Sequence, residues 1–170
     1  DDAALTLLAH TPSAALGSCR KKIRDEETIE KMYAIFEKYE IDCFFYIGGN
    51  DSMDAVRRLS EYASAHPEKR KVCFVGVPKT IDNDLVLTDH TPGFGSAAKY
   101  IAASMQEILR DCAVYRTRAV TIVEIMGRDA GWLTASAALS NALTGVGPAL
   151  IYLPECAFSS ERFLDDLNRL

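Results

Sequence analysis

The sequence predicts an α/β fold, a mainly parallel sheet with helices on both faces in three layers, and three observations carry that expectation. Short continuous apolar runs end at glycine or proline. Amphipathic segments of helical period lie between them, and the two kinds alternate along the 170 residues. Strands separated by helices need crossover connections, so neighbouring strands run parallel.

The elements follow in order. Glu26 to Glu40 places Ile29, Met32, Ile35, Phe36 and Tyr39 on one face with charges between them, an amphipathic helix. Cys43 to Ile47 is a continuous apolar run too short for an independent helix; it stops at Gly48 and Gly49 and reads as a buried strand. Ser52 to Ala65 returns to the helical period through Met53, Val56, Leu59 and Ala63. Then come a strand from Lys71 to Val77, a loop, a helix from Gly95 to Asp111, and a strand from Ala119 to Ile125. A helix from Gly131 to Leu143, a strand from Ala149 to Leu153 and a final helix from Ser160 complete the series. The long helix ending at Asp111 and the charged turn from Tyr115 to Arg118 form the junction between two subdomains.

Composition excludes several classes. Hydrophobic residues make up 48% of the chain, normal for a globular protein, and the net charge is −5. The largest basic cluster is Arg20, Lys21 and Lys22, so there is no electrostatic footprint for nucleic acid. Cys19, Cys43, Cys73, Cys112 and Cys156 are odd in number, widely spaced and form no CxxC pair, which predicts reduced, buried thiols and a cytoplasmic setting. His10, His66 and His90 are scattered, which argues against a histidine-based metal site. No apolar stretch reaches the roughly 18 residues that span a bilayer, and the start at Asp1 has no signal-peptide pattern. The chain begins without Met and its last residues look like a helix cut short, so a piece of a longer protein is expected.

Five short runs carry chemistry. In Gly48 Gly49 Asn50 Asp51 Ser52 a strand ends in two glycines and opens into a helix, where backbone amides can approach a phosphate; Asn50, Asp51 or Ser52 reads equally as a helix cap. In Pro78 Lys79 Thr80 Ile81 Asp82 Asn83 Asp84, paired carboxylates follow a strand beside a lysine. Burying both unpaired would be costly, so they face a ligand crevice, unless the run is an Asx-rich turn satisfying its own backbone. Asp82 is the candidate proton acceptor for an attacking hydroxyl. In Met126 Gly127 Arg128, the arginine fork can hold a phosphate oxygen at a strand end, or join a surface ion pair. Leu16 to Arg20 places an arginine after small residues, and Pro154 Glu155 ends a strand in a carboxylate able to accept sugar hydroxyls.

In this order and separation, these motifs resemble the phosphofructokinase family. The likeness rests on LGSCR from Leu16, GGNDS from Gly48, PKTIDND from Pro78, MGR from Met126 and PE from Pro154, and it covers nearly the whole chain. It implies parts of two similar Rossmann-like subdomains: residues 1–112 for the phosphate donor and metal, 113–170 for the sugar. It also implies phosphoryl transfer to the 1-hydroxyl of fructose 6-phosphate with Mg2+. Asp82 would accept the proton, and Thr80, Asp82, Met126, Gly127, Arg128 and Glu155 would bind the sugar phosphate. Arg20, Gly49, Asn50, Asp51 and Lys79 would face the donor, with Asn50 and Asp84 as candidate metal ligands.

The donor implied is pyrophosphate. ATP-using members commonly carry glycine where this chain has Asp51, and a carboxylate there fills the place of a nucleotide α-phosphate and repels it. Lys79 supplies a cation for the shorter donor. The alternatives are an ATP-dependent 6-phosphofructokinase, a noncatalytic regulatory subunit of such an enzyme, and more distantly a lipid or NAD kinase. Asn50 stands where many members have aspartate, and Ala119 falls where members carry an arginine used by a neighbouring subunit, with Arg118 one residue away. The resemblance implies a homodimer or homotetramer in glycolysis. The family's N-terminal glycine-rich loop and later sugar-phosphate ligands have no counterpart here, so these residues alone are expected to be inactive.

Overall fold

The computed structural model describes residues 1–15 and 17–170, the side chain of Leu143 apart; Leu16, first residue of the LGSCR run, lies outside the described residues. Seven helices and two strands are present among them: α1 (Asp2–Ala9), α2 (Glu26–Lys38), β1 (Cys43–Gly48), α3 (Asn50–Ala65), β2 (Cys73–Pro78), α4 (Phe94–Ala113), α5 (Trp132–Ser136), α6 (Leu139–Thr144) and α7 (Ser160–Arg169). The chain packs as two compact units, Asp1–Tyr46 with Asp51–Val75, and Ile47–Asn50 with Gly76–Leu170.

The α/β class holds. Strands β1 and β2 pair in one sheet, joined through α3. Cys73 N donates to Asp42 O at 2.8 Å and Lys79 N to Gly48 O at 2.8 Å. Both strands therefore advance together, which is parallel pairing.

In the first unit, Asp25 starts α2 by accepting from Thr28 N at 2.8 Å, and Lys38 sits in the last turn, so charge complements both ends of the helix dipole. The buried face of α2 is Ile29, Tyr33 and Phe36; Leu59 and Tyr62 of α3 complete the core, with Phe44, Val72 and Phe74 of the sheet region packed against it. Tyr33 meets Phe36 edge-on at 5.6 Å and Tyr62 at 5.2 Å. The helical face therefore differs from that expected. Ile35 is 51% exposed and Tyr39 lies beyond the last helical residue, because the stripe that meets the sheet runs through Tyr33.

Asp54 on α3 accepts from Arg58 Nε and from Arg57 Nη2, each at 2.7 Å. The Arg58 hydrogen bond first, then that of Arg57, draws its carboxyl from an ordinary 3.8 down to about 2. The folded value lies below the unfolded one, so the stabilisation is present above about 3.8 and is lost as pH falls toward about 2. Asp54→Asn should lower the thermal midpoint near neutrality, with the gap to the parent closing over that acid window. A gap that stays constant on acidification would mean the two ion pairs contribute nothing.

In the second unit, α4 begins after Gly93, whose φ of +89° is left-handed and whose added Cβ would stand 3.1 Å from Ile81 Cγ2. Ala98, Ala102 and Met105 form its buried stripe. It packs on α5 and α6, where Leu133, Ser136 and Ser140 are buried, as is Ala137 between the two helices. Small residues on these faces allow the backbones to approach closely.

Four expectations are corrected. The helix from Gly131 to Leu143 is two short helices: between them Ala138 N bonds Ala135 O, and Ser140 N bonds Ala137 O, in the tighter i to i−3 pattern. The strands from Ala119 to Ile125 and from Ala149 to Leu153 carry no ladder among the described residues, and Val120 and Ile122 are exposed. An apolar run records strand propensity, but a ladder needs a neighbouring backbone. The strand β1 is not buried on both sides, since its residues alternate between exposed and half-buried. Finally, the five cysteines are free thiols as expected but exposed: Cys43 and Cys73 occupy the alternate strand positions turned from the core, and Cys19 and Cys156 lie in irregular segments. The short helix α1, capped by the Asp1 side chain, was not expected at all.

Among the described residues, no helix is long and apolar enough to cross a membrane.

Candidate active site

Two strand ends and one loop build the site in the second unit. At the end of β1, the Gly48 carbonyl accepts from Lys79 N at 2.8 Å, so the paired strands bring Gly48 and Gly49 beside the start of the PKTIDND run. Gly49 lies under this crossing, where an added Cβ would stand 3.6 Å from the Lys79 carbonyl oxygen, ordinary contact. Asn50 is the first residue of α3, and its Nδ2 reaches Asp84 Oδ2 at 3.4 Å. The two candidate metal ligands, 34 residues apart in sequence, thus meet.

The loop after β2 is tightly organised. Thr80, 9% exposed, accepts from Asp82 N through Oγ1 at 3.1 Å, a local side-chain-to-backbone turn. The acceptor is a threonine hydroxyl, not an aspartate or asparagine side chain as in the Asx-rich turn weighed as the alternative, and the Asp82 carboxylate takes no part in it. Asp82 Oδ1 is buried and has no hydrogen-bond partner among the described residues. A buried acceptor without a donor is costly and calls for an explanation, and a substrate hydroxyl supplies one. Lys79 and Asp84 are exposed, and Lys79 makes no ion pair among the described residues.

Gly127 and Arg128 lie in a tight turn, with Ala130 N donating to Gly127 O at 2.9 Å. Gly127 has a φ of +155°, and a Cβ there would run into the Ala130 carbonyl; Arg128 takes a left-handed φ of +51°. The arginine is exposed, and Met126 is 68% exposed, an orientation a core methionine would not take. Gly127 and Arg128 line a cleft of about 600 Å³ together with Thr134, Tyr152 and Pro154. Such a volume suits a small phosphorylated ligand. Glu155 does not stand free: its Oε1 accepts from Gly131 N at 2.7 Å, and an added Cβ on Gly131 would lie 2.5 Å from Oε2. The carboxylate thus tethers the segment after Tyr152 to the start of α5.

In the first unit, Asp51 pairs with Lys22 at 3.0 Å, both exposed, while Arg20 is exposed in an irregular segment. A second cleft of about 540 Å³ in that unit has a basic rim of His66, Lys69, Arg70 and Lys71. Lys69 and Arg70 are already engaged by Glu30 at 2.8 Å and Asp42 at 2.6 Å. Sequence reasoning missed Lys22, Asn83 and Gly131. Lys22 was visible only as part of a basic cluster, whereas Asn83 carried a real signal: asparagine between two aspartates after a strand suits a left-handed turn.

By donor type Asn50 and Asp84 suit a cation, because a neutral amide oxygen and a carboxylate are hard oxygen ligands of the kind Mg2+ takes alongside water and phosphate; Asn50 presents Nδ2 to Asp84 here, so its amide would turn over to share one. Among the described residues no cluster of three His, Cys, Asp or Glu side chains could hold a metal, so Asn50 and Asp84 would supply only part of a cation's ligands.

The Phosphofructokinase family profile matches residues 1–170. The pyrophosphate–fructose 6-phosphate 1-phosphotransferase of Rhodospirillum rubrum is 45% identical over 166 residues, covering 98% of this chain and 40% of its own length. An ATP-dependent 6-phosphofructokinase of Glaesserella parasuis is 35% identical over 154 residues, covering 90% of this chain and 44% of its own. The crystal structure of a pyrophosphate-dependent phosphofructokinase from Marinobacter aquaeolei superposes with a TM-score of 0.82 at 40% identity, covering 99% of this chain and 42% of that one. The chain thus spans about 40% of the length of the curated relatives it matches.

Proposed function

The chain belongs to the phosphofructokinase family, and on that premise we propose that the whole protein transfers a phosphoryl group from pyrophosphate to the 1-hydroxyl of fructose 6-phosphate. The observation that carries the reading is the buried, unpartnered Asp82 Oδ1 beside the Thr80 turn. The 1-hydroxyl of the sugar donates to that oxygen. As the sugar oxygen bonds to phosphorus and the bridging P–O bond breaks, the proton passes to Asp82 and phosphate leaves. Run backward, the same groups make the step reversible, since the donor and product phosphate bonds are closer in energy than with ATP.

The remaining residues bind and orient. Arg128, from its left-handed turn, holds the sugar phosphate with Met126 and Gly127 around it, and Glu155 fixes the facing segment through Gly131 while accepting a sugar hydroxyl. Arg20, Gly49, Asn50, Asp51 and Lys79 face the donor, with Lys79 offsetting charge that grows on the leaving phosphate. Mg2+ held by Asn50 and Asp84 would screen the donor's charge. Residues 1–112 serve the donor side and 113–170 the sugar side. A cytoplasmic homodimer or homotetramer acting in glycolysis completes the proposal.

Donor choice rests on Asp51, whose exposed carboxylate is steadied by Lys22. An assay of the whole protein with each donor tests it: turnover with pyrophosphate and little with ATP is expected, and turnover with ATP alone would overturn the proposal. Asp51→Gly should remove both bulk and charge and raise kcat/KM for ATP by roughly 10- to 100-fold, the range of one lost repulsive contact of a few kcal/mol. If that variant gains no ATP activity, the specificity lies elsewhere in the donor site.

A further inference from the structure

Asn83 stands between the two aspartates and has no part in the chemistry so far, yet the loop is built around it. It is 7% exposed and holds a left-handed φ of +58°. Both ends of its amide are engaged: Oδ1 accepts from Thr91 N at 2.9 Å, and Nδ2 donates to Asp89 O at 3.2 Å. The clasp closes the loop from 83 to 91 onto itself. Its far end is anchored in turn, because Thr91 O accepts from Phe94 N at 3.1 Å at the start of α4, and Gly93 lies against Ile81. One side chain therefore connects the Asp82–Asp84 run to a long helix.

Neither aspartate shares in the clasp. Asp82 Oδ1 stays unpartnered and Asp84 Oδ2 faces Asn50. A loop of this length with no sheet pairing would otherwise let both carboxylates wander, and a hydroxyl acceptor displaced by about 1 Å loses about 100-fold in rate.

We propose that Asn83 is a positioning residue for the phosphoryl transfer: its two-ended amide clasp fixes the reactive geometry of Asp82 without touching either substrate. The inference rests on Asp82 as proton acceptor. Asn83→Gly tests it in the whole protein, because glycine takes the left-handed backbone without strain while the clasp is deleted. Steady-state kinetics with pyrophosphate should show kcat down by roughly 10- to 100-fold with KM for fructose 6-phosphate essentially unchanged. In an Asp82→Asn background, Asn83→Gly should cost no further rate, since a group acting through Asp82 has nothing left to position. A fall in thermal midpoint with parental kcat would reduce Asn83 to a structural role and overturn the inference, as would losses that multiply in the double variant. Failure of the underlying reading looks different: there, Asp82→Asn by itself retains the parental rate.

Discussion

Asp82→Asn in the whole protein lowers kcat by about 10²- to 10⁴-fold, the contribution of a well-placed general base, while fructose 6-phosphate still binds. The expectation follows from the isolation of one oxygen. Asp82 keeps its backbone N–H tied to Thr80 Oγ1, so the loop does not depend on the carboxylate, and Oδ1 lies buried with no partner among the described residues. The amide is the same size and keeps the turn, but it cannot take a proton at that position. Binding should survive because the groups proposed to hold the sugar phosphate, Arg128 above all, lie on a separate turn. Equilibrium binding and single-turnover rates separate the two effects. A parental rate would reject Asp82 as the acceptor, and lost binding with an unchanged bound-state rate would recast it as a substrate ligand.

How far the site was legible from residues alone depends on how local each interaction is. The strands β1 and β2 were readable because glycine and proline punctuate them, and their parallel pairing sets the start of α3 beside the loop that follows β2. The Asp25 cap and the Ser159 cap, which accepts from Arg162 N at 3.3 Å, are local too. What could not be read is long-range. Tyr33 rather than Ile35 faces the core because of where α2 lies against Phe44, Phe74 and Tyr62, a matter of packing and not of period. The runs from Ala119 and Ala149 have strand composition, yet pairing depends on a neighbour that composition does not specify. The meeting of Asn50 with Asp84, and of Gly131 with Glu155, belongs to the same class. Motif order could name these residues, but it could not reveal that Glu155 is engaged by a backbone N–H.

Gly127→Ala should then be the most damaging single-atom change on the sugar side. The added methyl would run into the Ala130 carbonyl, and the φ of +155° is one an L side chain rarely adopts. The turn from 127 to 130 would have to open, breaking the Ala130 N to Gly127 O bond of 2.9 Å and releasing Arg128 from its left-handed φ of +51°. A charged hydrogen bond is worth about 1.5–3 kcal/mol, so misplacing the guanidinium should raise KM for fructose 6-phosphate by about 10- to 100-fold. The strain itself should cost on the order of 1–3 kcal/mol of stability, read as a lower thermal midpoint. Arg128→Ala supplies the control, because it removes the fork without straining the backbone. If Gly127→Ala raises KM as Arg128→Ala does and also lowers the thermal midpoint, the turn acts by presenting the arginine. If Gly127→Ala destabilises the protein but leaves KM at the parental value, the turn serves the fold alone and Arg128 is held by other contacts.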